Sequence, residues 1–222
     1  MGEARMGVPE QFPLGKTRCR RPQPGLEWVH EHCLDNENLA PEVVVTPGFS
    51  VFIAASLDGY IARTDGGLDW LETVQSPHED YGYHAFFDSV DALLLGSGTY
   101  DTVRNFPEWP FGDKPCYVAT SQERRPIRHE VFVRGNPVTL ARQLADRGHG
   151  RIYLDGGRLI RAFLATGLVT ELILSVIPIL LGSGIPLFRE IGKEPTYGEH
   201  GLKLSGTQTY ASGLVQLRYQ KA

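Results

Sequence analysis

The residues of this sequence that point most directly to chemistry are an acid and two glycines, Asp155-Gly156-Gly157. Apolar residues typical of a buried strand precede them, and residues with helical spacing follow them. Two consecutive glycines let the backbone turn sharply and approach a ligand, and the first N–H groups of a helix attract an anion. The pattern predicts a phosphate-binding turn with a carboxylate beside it, although an ordinary strand-to-helix turn can have the same composition.

Small or hydroxylated residues also follow three other predicted strands. Ligands of open α/β sheets bind outside the carboxyl ends of the strands, so these residues lie where a ligand is expected. Small side chains leave room for a flat ring or a phosphate, and hydroxyls with free N–H groups suit an anionic dinucleotide. The alternative is that the hydroxyls only cap helices and turns. The three segments are Ala54-Ala55-Ser56-Leu57-Asp58-Gly59, Gly96-Ser97-Gly98-Thr99 and Ala119-Thr120-Ser121.

Other catalytic and metal-binding motifs are absent from the sequence. It contains no G-x-S-x-G nucleophile elbow, no H-E-x-x-H and no C-x-x-C. Four potential zinc ligands near the start, Cys19, His30, His32 and Cys33, do not have the spacing of a standard zinc site. We therefore predict no metal.

Composition excludes several classes of partner. The 22 basic and 26 acidic residues give a net charge of −4, which offers no overall attraction for a nucleic acid. The longest apolar stretch, 172–181, contains Ser175 and Pro178 and is shorter than the roughly 20 residues of a membrane-spanning helix. Three scattered cysteines and the lack of a signal peptide at the start favour the cytoplasm.

The predicted secondary structure explains how the candidate residues come together. Strand and helix patterns alternate from Phe49 onward, and near-continuous apolar strands indicate burial on both faces. Asn136 is expected to cap a helix that has Pro137 at its first position and ends at Gly148. The other predicted helices are 78–89, 99–105 and 158–166, and the predicted strands are 49–56, 92–96, 116–120, 152–155 and 171–181.

The two ends of the chain differ from this alternating region. Segments 202–210 and 214–220 alternate apolar and polar residues across a short turn, which predicts a hairpin. We therefore predict an α/β fold with a mostly parallel sheet, helices on both faces and a C-terminal antiparallel hairpin at one edge. Residues 1–48 show no sustained period and are interpreted as a largely disordered extension to a folded domain at 49–222.

Several segments, in this order, carry a resemblance to a known family. They resemble the dihydrofolate-reductase superfamily and, more closely, the reductase domain of the riboflavin-biosynthesis deaminase-reductase and its stand-alone bacterial relatives. The resemblance runs from about Phe49 to the C-terminus and implies the three-layer fold of dihydrofolate reductase. The segments are 54–62, Gly98-Thr99-Tyr100, Asp155-Gly156-Gly157, 168–172 and 178–188.

The resemblance implies that NADPH binds across the strand ends. Ala55 and Ile61 would lie at the nicotinamide, and Thr120 and Ser121 near the adenine ribose. The strand-end residues Gly96, Ser97, Gly98 and Thr99 would bind phosphate. The pyrophosphate would be held by Gly156, Gly157, Arg158, Leu159 and Ile160. In dihydrofolate reductases a cis peptide joins the matching glycines, so we predict one between Gly156 and Gly157.

One departure from the family concerns cofactor preference. Relatives usually have an arginine where this chain has Ser97, and such an arginine would bind the 2′-phosphate of NADPH in a bidentate manner. NADPH remains the expected cofactor, with NADH as an open alternative.

The position of an acid distinguishes the possible substrates. The riboflavin reductases have an acid directly before the glycine turn, which makes Asp155 the first candidate for substrate binding and proton transfer, with Asp58 as the second. Dihydrofolate reductases instead hold the pterin with an acid of the first helix, for which Asp80 is a candidate beside Glu79. Trp70 is a further substrate candidate, and a core or lid position is its alternative.

These observations lead to one hypothesis with two alternatives. The first is an NADPH-dependent reductase for a pyrimidine- or pterin-like small molecule, of the 5-amino-6-(5-phosphoribosylamino)uracil reductase type. A dihydrofolate-reductase-type pterin reductase is the first alternative. A dinucleotide-binding protein without catalytic activity is the second, and Ser97 favours it. A homodimer is expected because relatives often dimerise.

Overall fold

The computed structural model describes residues 46–188 and 201–222. The predicted extension lies almost entirely outside these residues, as do its four potential zinc ligands. The strands are β1 (Gly48–Ser56), β2 (Tyr60–Ala62), β3 (Ala92–Gly96), β4 (Cys116–Ala119), β5 (Val131–Val133), β6 (Arg151–Asp155), β7 (Val169–Ile177), β8 (Ile185–Pro186), β9 (Leu202–Thr209) and β10 (Val215–Lys221). The α-helices are α1 (Tyr83–Asp88), α2 (Ser97–Val103), α3 (Pro137–Ala145) and α4 (Gly157–Ala165), and a 3-10 helix covers Asp69–Val74.

An eight-stranded sheet in the order β5-β4-β3-β6-β1-β7-β10-β9 forms the centre of the protein. The first six strands in this order, from β5 at the edge to β7, run parallel to one another, whereas β10 is antiparallel to both β7 and β9. The predicted parallel sheet with a C-terminal antiparallel hairpin is therefore confirmed. A separate pair, β2 and β8, lies outside this sheet.

Helices pack on both faces of the sheet. Residues that alternate along β1, β3 and β6, such as Phe49, Leu94 and Leu154, pack with α3 and α4 in one hydrophobic cluster. Their neighbours with the opposite orientation, such as Leu95 and Tyr153, pack with α1 and α2 in a second cluster. Because side chains alternate between the faces of a strand, each strand contributes to both clusters. The result is the predicted three-layer arrangement.

Local signals placed some boundaries well and others poorly. The Asn136 side chain accepts a hydrogen bond of 2.9 Å from Thr139 N, and Pro137 opens α3, as predicted. The strand expected to reach residue 181 ends at Ile177, because Pro178 cannot donate to the ladder. The helix expected from residue 78 begins at Tyr83, after a Gly82 with φ of 80°. Strands β2, β5 and β8, of two or three residues each, were too short to produce a periodic signal.

Candidate functional site

The glycine turn after β6 is closely packed. Gly156 has φ of 113° and ψ of 118°, a conformation that a residue with a side chain rarely adopts. A Cβ at Gly156 would lie 2.9 Å from Thr99 Oγ1, and one at Gly157 would lie 2.7 Å from Ile61 Cδ1. A side chain is therefore excluded at Gly156 by its backbone conformation, Thr99 and the Gly96 backbone, whereas at Gly157 the end of the Ile61 side chain would have to move.

The predicted cis peptide between these glycines is wrong. Within the residues that the structure describes, every peptide bond is trans, including the one between Gly156 and Gly157. The positive φ of Gly156 turns the backbone directly into α4.

The turn brings together several residues proposed to bind the cofactor. Gly96 lies against Gly156 and Leu159. A Cβ placed on Gly96 would be only 3.9 Å from Gly156 Cα and 3.7 Å from Leu159 Cβ. Thr99 reaches the same turn from α2. Ile61 of β2 lies against Gly157, and it packs in the same large hydrophobic cluster as the buried Ala55. The structure thus joins β2, β3, α2 and α4 at a single backbone turn.

Residues 158 and 160 occupy different positions on α4. Arg158 is exposed in the first turn of the helix, where its side chain can reach solvent or a ligand. Ile160 is fully buried, and its N–H donates to Gly156 O at 2.8 Å. Ile160 therefore anchors the helix in the core, and the ligand contact expected for it stays a prediction.

The strand ends beside the turn carry the residues expected at the ribose. Gly96 pairs with Ala119, so the following residues, Ser97 and Thr120, leave the sheet next to each other. Thr120 N donates to Val133 O at 3.1 Å, and Thr120 Oγ1 accepts from Gln122 N at 3.1 Å. Thr120 therefore has the turn-stabilising role that was its alternative, while Ser121 is exposed.

Asp155 lies at the end of β6 on the face of the sheet that α1 covers. In β6, Asp155 shares this face with Tyr153 because side chains alternate, and Tyr83 of α1 packs 6.4 Å from Tyr153, measured between ring centroids. Burial raises the pKa of Asp155 to about 6, against hydrogen bonds with Gly156 N–H and the Tyr153 hydroxyl, which lower it. Burial and the nearby Asp155 charge raise the pKa of Tyr83 to about 12. Asp155 can therefore exchange a proton near neutral pH.

The sheet separates beside Asp155. The ladder between β1 and β6 ends at Ser50 and Tyr153, whereas β1 stays paired with β7 as far as Ser56. The carboxyl halves of β1 and β6 therefore diverge and leave a gap beside Asp155 and the glycine turn. A gap of this kind is where open α/β sheets bind ligands.

Asp58, the second candidate for catalysis, holds two loops together. Its carboxylate accepts hydrogen bonds from Ser56 Oγ at 2.6 Å, Leu181 N at 3.1 Å and Gly182 N at 2.7 Å. Burial raises its pKa, but these hydrogen bonds together leave the pKa of Asp58 below its usual value. These contacts account for an acid at this position structurally, and a catalytic role for it stays a prediction.

Asp80 precedes α1, and its carboxylate is engaged in hydrogen bonds with nearby residues. Its carboxylate accepts from Gly82 N and His84 N, each at 2.9 Å, and lies 2.6 Å from His84 Nδ1. These contacts lower the pKa of Asp80 to about 2, the backbone bond from His84 contributing most. Asp80 therefore has the features of an exposed helix cap, and its substrate contact stays a prediction.

Trp70 is a core residue, which was the alternative to its predicted contact with substrate. Its side chain is buried against Val74, Ile177 and Leu214 in a third hydrophobic cluster, beside the end of β7. Its contact with substrate also stays a prediction.

Two further residues of the site were not predicted from the sequence. Arg161 is buried in α4 and donates to Pro186 O at 2.8 Å and Leu187 O at 3.2 Å, which fixes β8 beside the glycine turn. An arginine four residues after Gly157 lies on the same helix face, and this spacing was an available signal. Tyr83, the second, has no comparable local signal because only packing brings it to Asp155.

Metal-binding clusters and membrane-spanning helices are absent from residues 46–188 and 201–222. No group of three or more His, Cys, Asp or Glu side chains there could hold a metal ion. No helix in the described part of the chain is long and apolar enough to cross a membrane.

Known proteins similar to this chain share its fold and, in part, its sequence. The sequence profile of the RibD C-terminal domain matches residues 48–216. The uncharacterized protein YwjB of Bacillus subtilis is 37% identical over 175 residues, which cover 78% of this chain and 97% of YwjB.

Solved structures are similar as well. One from Shewanella sp. PV-4, provisionally named a riboflavin biosynthesis protein, is 34% identical with a TM-score of 0.72, and the match covers 79% of this chain and 99% of that one. Dihydrofolate reductase from Enterococcus faecalis is 16% identical with a TM-score of 0.56, and the match covers 78% and 96% of the two chains. The predicted dihydrofolate-reductase-like fold is therefore confirmed.

Proposed function

Because this chain belongs to the RibD C-terminal domain family, we propose that it is a reductase of the riboflavin-synthesis type. Its proposed reaction transfers hydride from a reduced nicotinamide dinucleotide to an electron-poor C=N or C=O carbon. The proposed substrate is a phosphoribosylaminopyrimidine, as for 5-amino-6-(5-phosphoribosylamino)uracil reductases. NADPH is the proposed hydride donor.

The observation that carries this proposal is the position of Asp155. Its carboxyl lies one residue before the glycine turn and at the gap where the ladder between β1 and β6 ends. Burial raises the pKa of Asp155 to about 6, so about a tenth of the carboxyl groups keep their proton at pH 7. This pairs a proton donor with a turn shaped for a dinucleotide.

The residues of the turn fit the proposed cofactor. The Gly156 backbone has no room for a Cβ atom, and the first N–H groups of the nine-residue α4 lie beside it, which suits a pyrophosphate. Ile61, next to this turn, and Ala55 of the same hydrophobic cluster would lie against the nicotinamide ring. When bound, the reduced nicotinamide supplies the hydride. The Enterococcus faecalis enzyme with the same fold was solved with NADP(H).

Asp155 has two tasks in the proposed reaction. As the substrate carbon receives hydride, the protonated carboxyl donates its proton to the attached nitrogen or oxygen, so that charge does not accumulate there. Before that step, the carboxyl orients the pyrimidine by hydrogen bonding. The carboxyl lies on the same face of the sheet as Tyr153 and Tyr83, and burial there raises its pKa, whereas the Tyr153 hydrogen bond lowers it.

The contacts of Asp80 favour a pyrimidine over a pterin. The alternative of a dihydrofolate-reductase-type substrate requires an acid of the first helix that is available to the pterin. Asp80 instead accepts hydrogen bonds from Gly82 and His84 and is strongly acidic. A pterin would have to replace these bonds, which costs free energy.

Turnover with defined substrates tests the proposal. The loss of NADPH absorbance would be followed with the phosphoribosylaminopyrimidine and, separately, with dihydrofolate. Faster oxidation with the aminopyrimidine supports the proposal, and faster oxidation with dihydrofolate would replace it by the pterin alternative. Binding of NADPH without oxidation by either compound would instead indicate a non-catalytic dinucleotide-binding protein.

A further inference from the structure

Three arginines gather beyond the glycine turn, at the carboxyl ends of β4 and β5. Together with three neighbours they line a shallow depression in the surface. The lining residues are Gln122, Glu123, Arg124, Arg125, Phe132 and Arg134. Glu123 is the one acid among the six, so the depression is positively charged.

Strand register places this depression in line with the proposed cofactor site. Ala119 of β4 pairs with Gly96 of β3 on one side and with Val133 of β5 on the other. Arg134 follows Val133 directly, so it leaves the sheet about 5 Å, one strand spacing, from Thr120. In the sheet, the neighbouring strand ends of β6, β3, β4 and β5 therefore form a row that runs from the glycine turn, past the expected ribose site, to the arginines.

The three arginines differ in how far they are already engaged. Arg124 makes two hydrogen bonds to the Asp101 carboxylate and lies over the Tyr100 ring, with its Cζ 5.9 Å from the ring centroid. Arg125 and Arg134 are exposed. In the described part of the chain, neither has a carboxylate within ion-pair distance. These two guanidinium groups are therefore available to an anion, while Arg124 orders the loop that carries one of them.

We infer that Arg125 and Arg134 bind the 2′-phosphate of NADPH and provide the charge that Ser97 lacks. This inference rests on the proposed function, because it assumes a dinucleotide across the strand ends. Guanidinium groups suit phosphate because their planar donors match two of its oxygens. Ser97 lies beside Thr120 at the neighbouring strand end, so an anion bound there is within reach of side chains from β4 and β5.

The substrate phosphate is the other possible source of this chemistry, and the strand order argues against it. The substrate is proposed to bind at the Asp155 carboxyl, at the end of β6. The arginines lie at the far strand end, beyond the residues expected at the adenine ribose. A dinucleotide extended along the strand ends reaches them, whereas a substrate phosphate at β6 would lie two or more strands away.

Binding measurements on a double variant test this inference. We expect Arg125→Ala together with Arg134→Ala to raise the dissociation constant of NADPH at least about tenfold, because charge-assisted hydrogen bonds are lost. The NADH constant should change less than twofold, since NADH has no 2′-phosphate. Arg142→Ala, which removes an exposed arginine of α3, serves as the control and should leave both constants unchanged. Isothermal titration calorimetry measures both constants without turnover.

A second change makes the result independent of any loss of structure. Adding Ser97→Arg to the double variant restores the arginine of the relatives, and we expect it to recover most of the NADPH affinity. Circular dichroism and the melting temperature of each variant show whether the fold is kept.

The outcomes separate this inference from the proposed function. Unchanged NADPH affinity in the double variant, or equal weakening of NADPH and NADH, overturns the inference while the reductase proposal stands. Weakened binding of ribose 5-phosphate in place of NADPH would assign the arginines to the substrate and also overturns it. If the parent protein prefers NADPH to NADH, the double variant loses this preference and the parent protein turns over no substrate, the inference is supported and the reductase proposal is contradicted.

Discussion

Asp155 combines two properties that an acid on a protein surface does not have. It is the last residue of the buried strand β6, and burial raises its pKa to about 6 although hydrogen bonds from Gly156 and Tyr153 lower it. Asp58 and Asp80, the other acids expected at the site, have lowered pKa values because their carboxylates accept hydrogen bonds from nearby groups. Among these three acids, only Asp155 can supply a proton near neutral pH.

Replacing the Asp155 carboxyl by an amide should separate catalysis from cofactor binding. We expect Asp155→Asn to lower kcat by about 100-fold or more, because general acid catalysis contributes factors of this size. NADPH affinity should stay within twofold, since the glycine turn is unchanged. The measurements are steady-state kinetics and calorimetry, with the exposed Asp146→Asn as a control. Unchanged turnover would refute the proposed role of Asp155.

The raised pKa also predicts how stability depends on pH. A carboxyl whose pKa rises from 3.8 when unfolded to about 6 when folded stabilises the fold most when it is protonated. This contribution is fully present below pH 3.8 and is lost as pH rises through about 6. We expect the melting temperature of Asp155→Asn to exceed that of the parent protein more at pH 8 than at pH 5. Equal differences at both pH values would contradict this assignment.

At the scale of elements, the loop between β7 and β8 depends on Asp58. Its carboxylate accepts from the backbone N–H groups of Leu181 and Gly182, and β8 pairs with β2 next to Ile61. We expect Asp58→Ala to lower the free energy of unfolding by about 0.5–1.5 kcal/mol, because two exposed hydrogen bonds to a charged acceptor are lost and water can replace the acceptor. It should lower kcat far less than Asp155→Asn does. Urea denaturation and kinetics measure the two effects, and a loss of kcat without loss of stability would indicate a catalytic Asp58.

The glycine turn allows a comparison between strain and binding. Gly156 and Gly148 both have positive φ, but a Cβ would meet Thr99 and Gly96 at Gly156 and only open space at Gly148. Backbone strain of about 1–3 kcal/mol is therefore common to Gly156→Ala and Gly148→Ala. We expect only Gly156→Ala to weaken NADPH binding, by at least about tenfold. Calorimetry on both variants provides the measurement, and equal effects on affinity would mean that the turn does not contact the cofactor.

On the scale of the whole molecule, the two proposed halves of the site lie on opposite faces of the sheet. The glycine turn leads into α4 on one face, whereas Asp155 faces α1 on the other, and the end of the ladder between β1 and β6 lies between them. The proposed cofactor and the proposed substrate would therefore approach each other from opposite sides of one gap. The expected homodimer is a separate prediction, which a molar mass from light scattering would test.

The described residues contain every element of the proposed site. The family match begins at residue 48, and the hydrophobic clusters and strand-end residues lie at 46–188 and 201–222. We expect a variant without residues 1–45 to keep NADPH binding and turnover within about twofold of the full chain. The same calorimetric and kinetic measurements test this, and loss of activity in a folded variant would assign a function to the removed segment.

The sequence by itself determined the order of the longer strands and of the α-helices, the hairpin, the cap at Asn136 and the glycine turn after β6. These features follow from local periodicity and local turn chemistry, which neighbouring residues specify between them. It also identified the strand-end segments, since an open α/β sheet binds ligands at that edge.

Only the tertiary structure decided which of these residues meet, and what each acid is free to do. The strand order inserts β6 between β3 and β1, so that Tyr83 reaches Asp155, while Asp58 is committed to the loop at Leu181 and Gly182. Packing between segments distant in sequence sets burial and hydrogen-bond partners, and these in turn set the pKa of a carboxyl. Local propensity contains no such information, and for this reason the sequence could nominate three acids but could not choose among them.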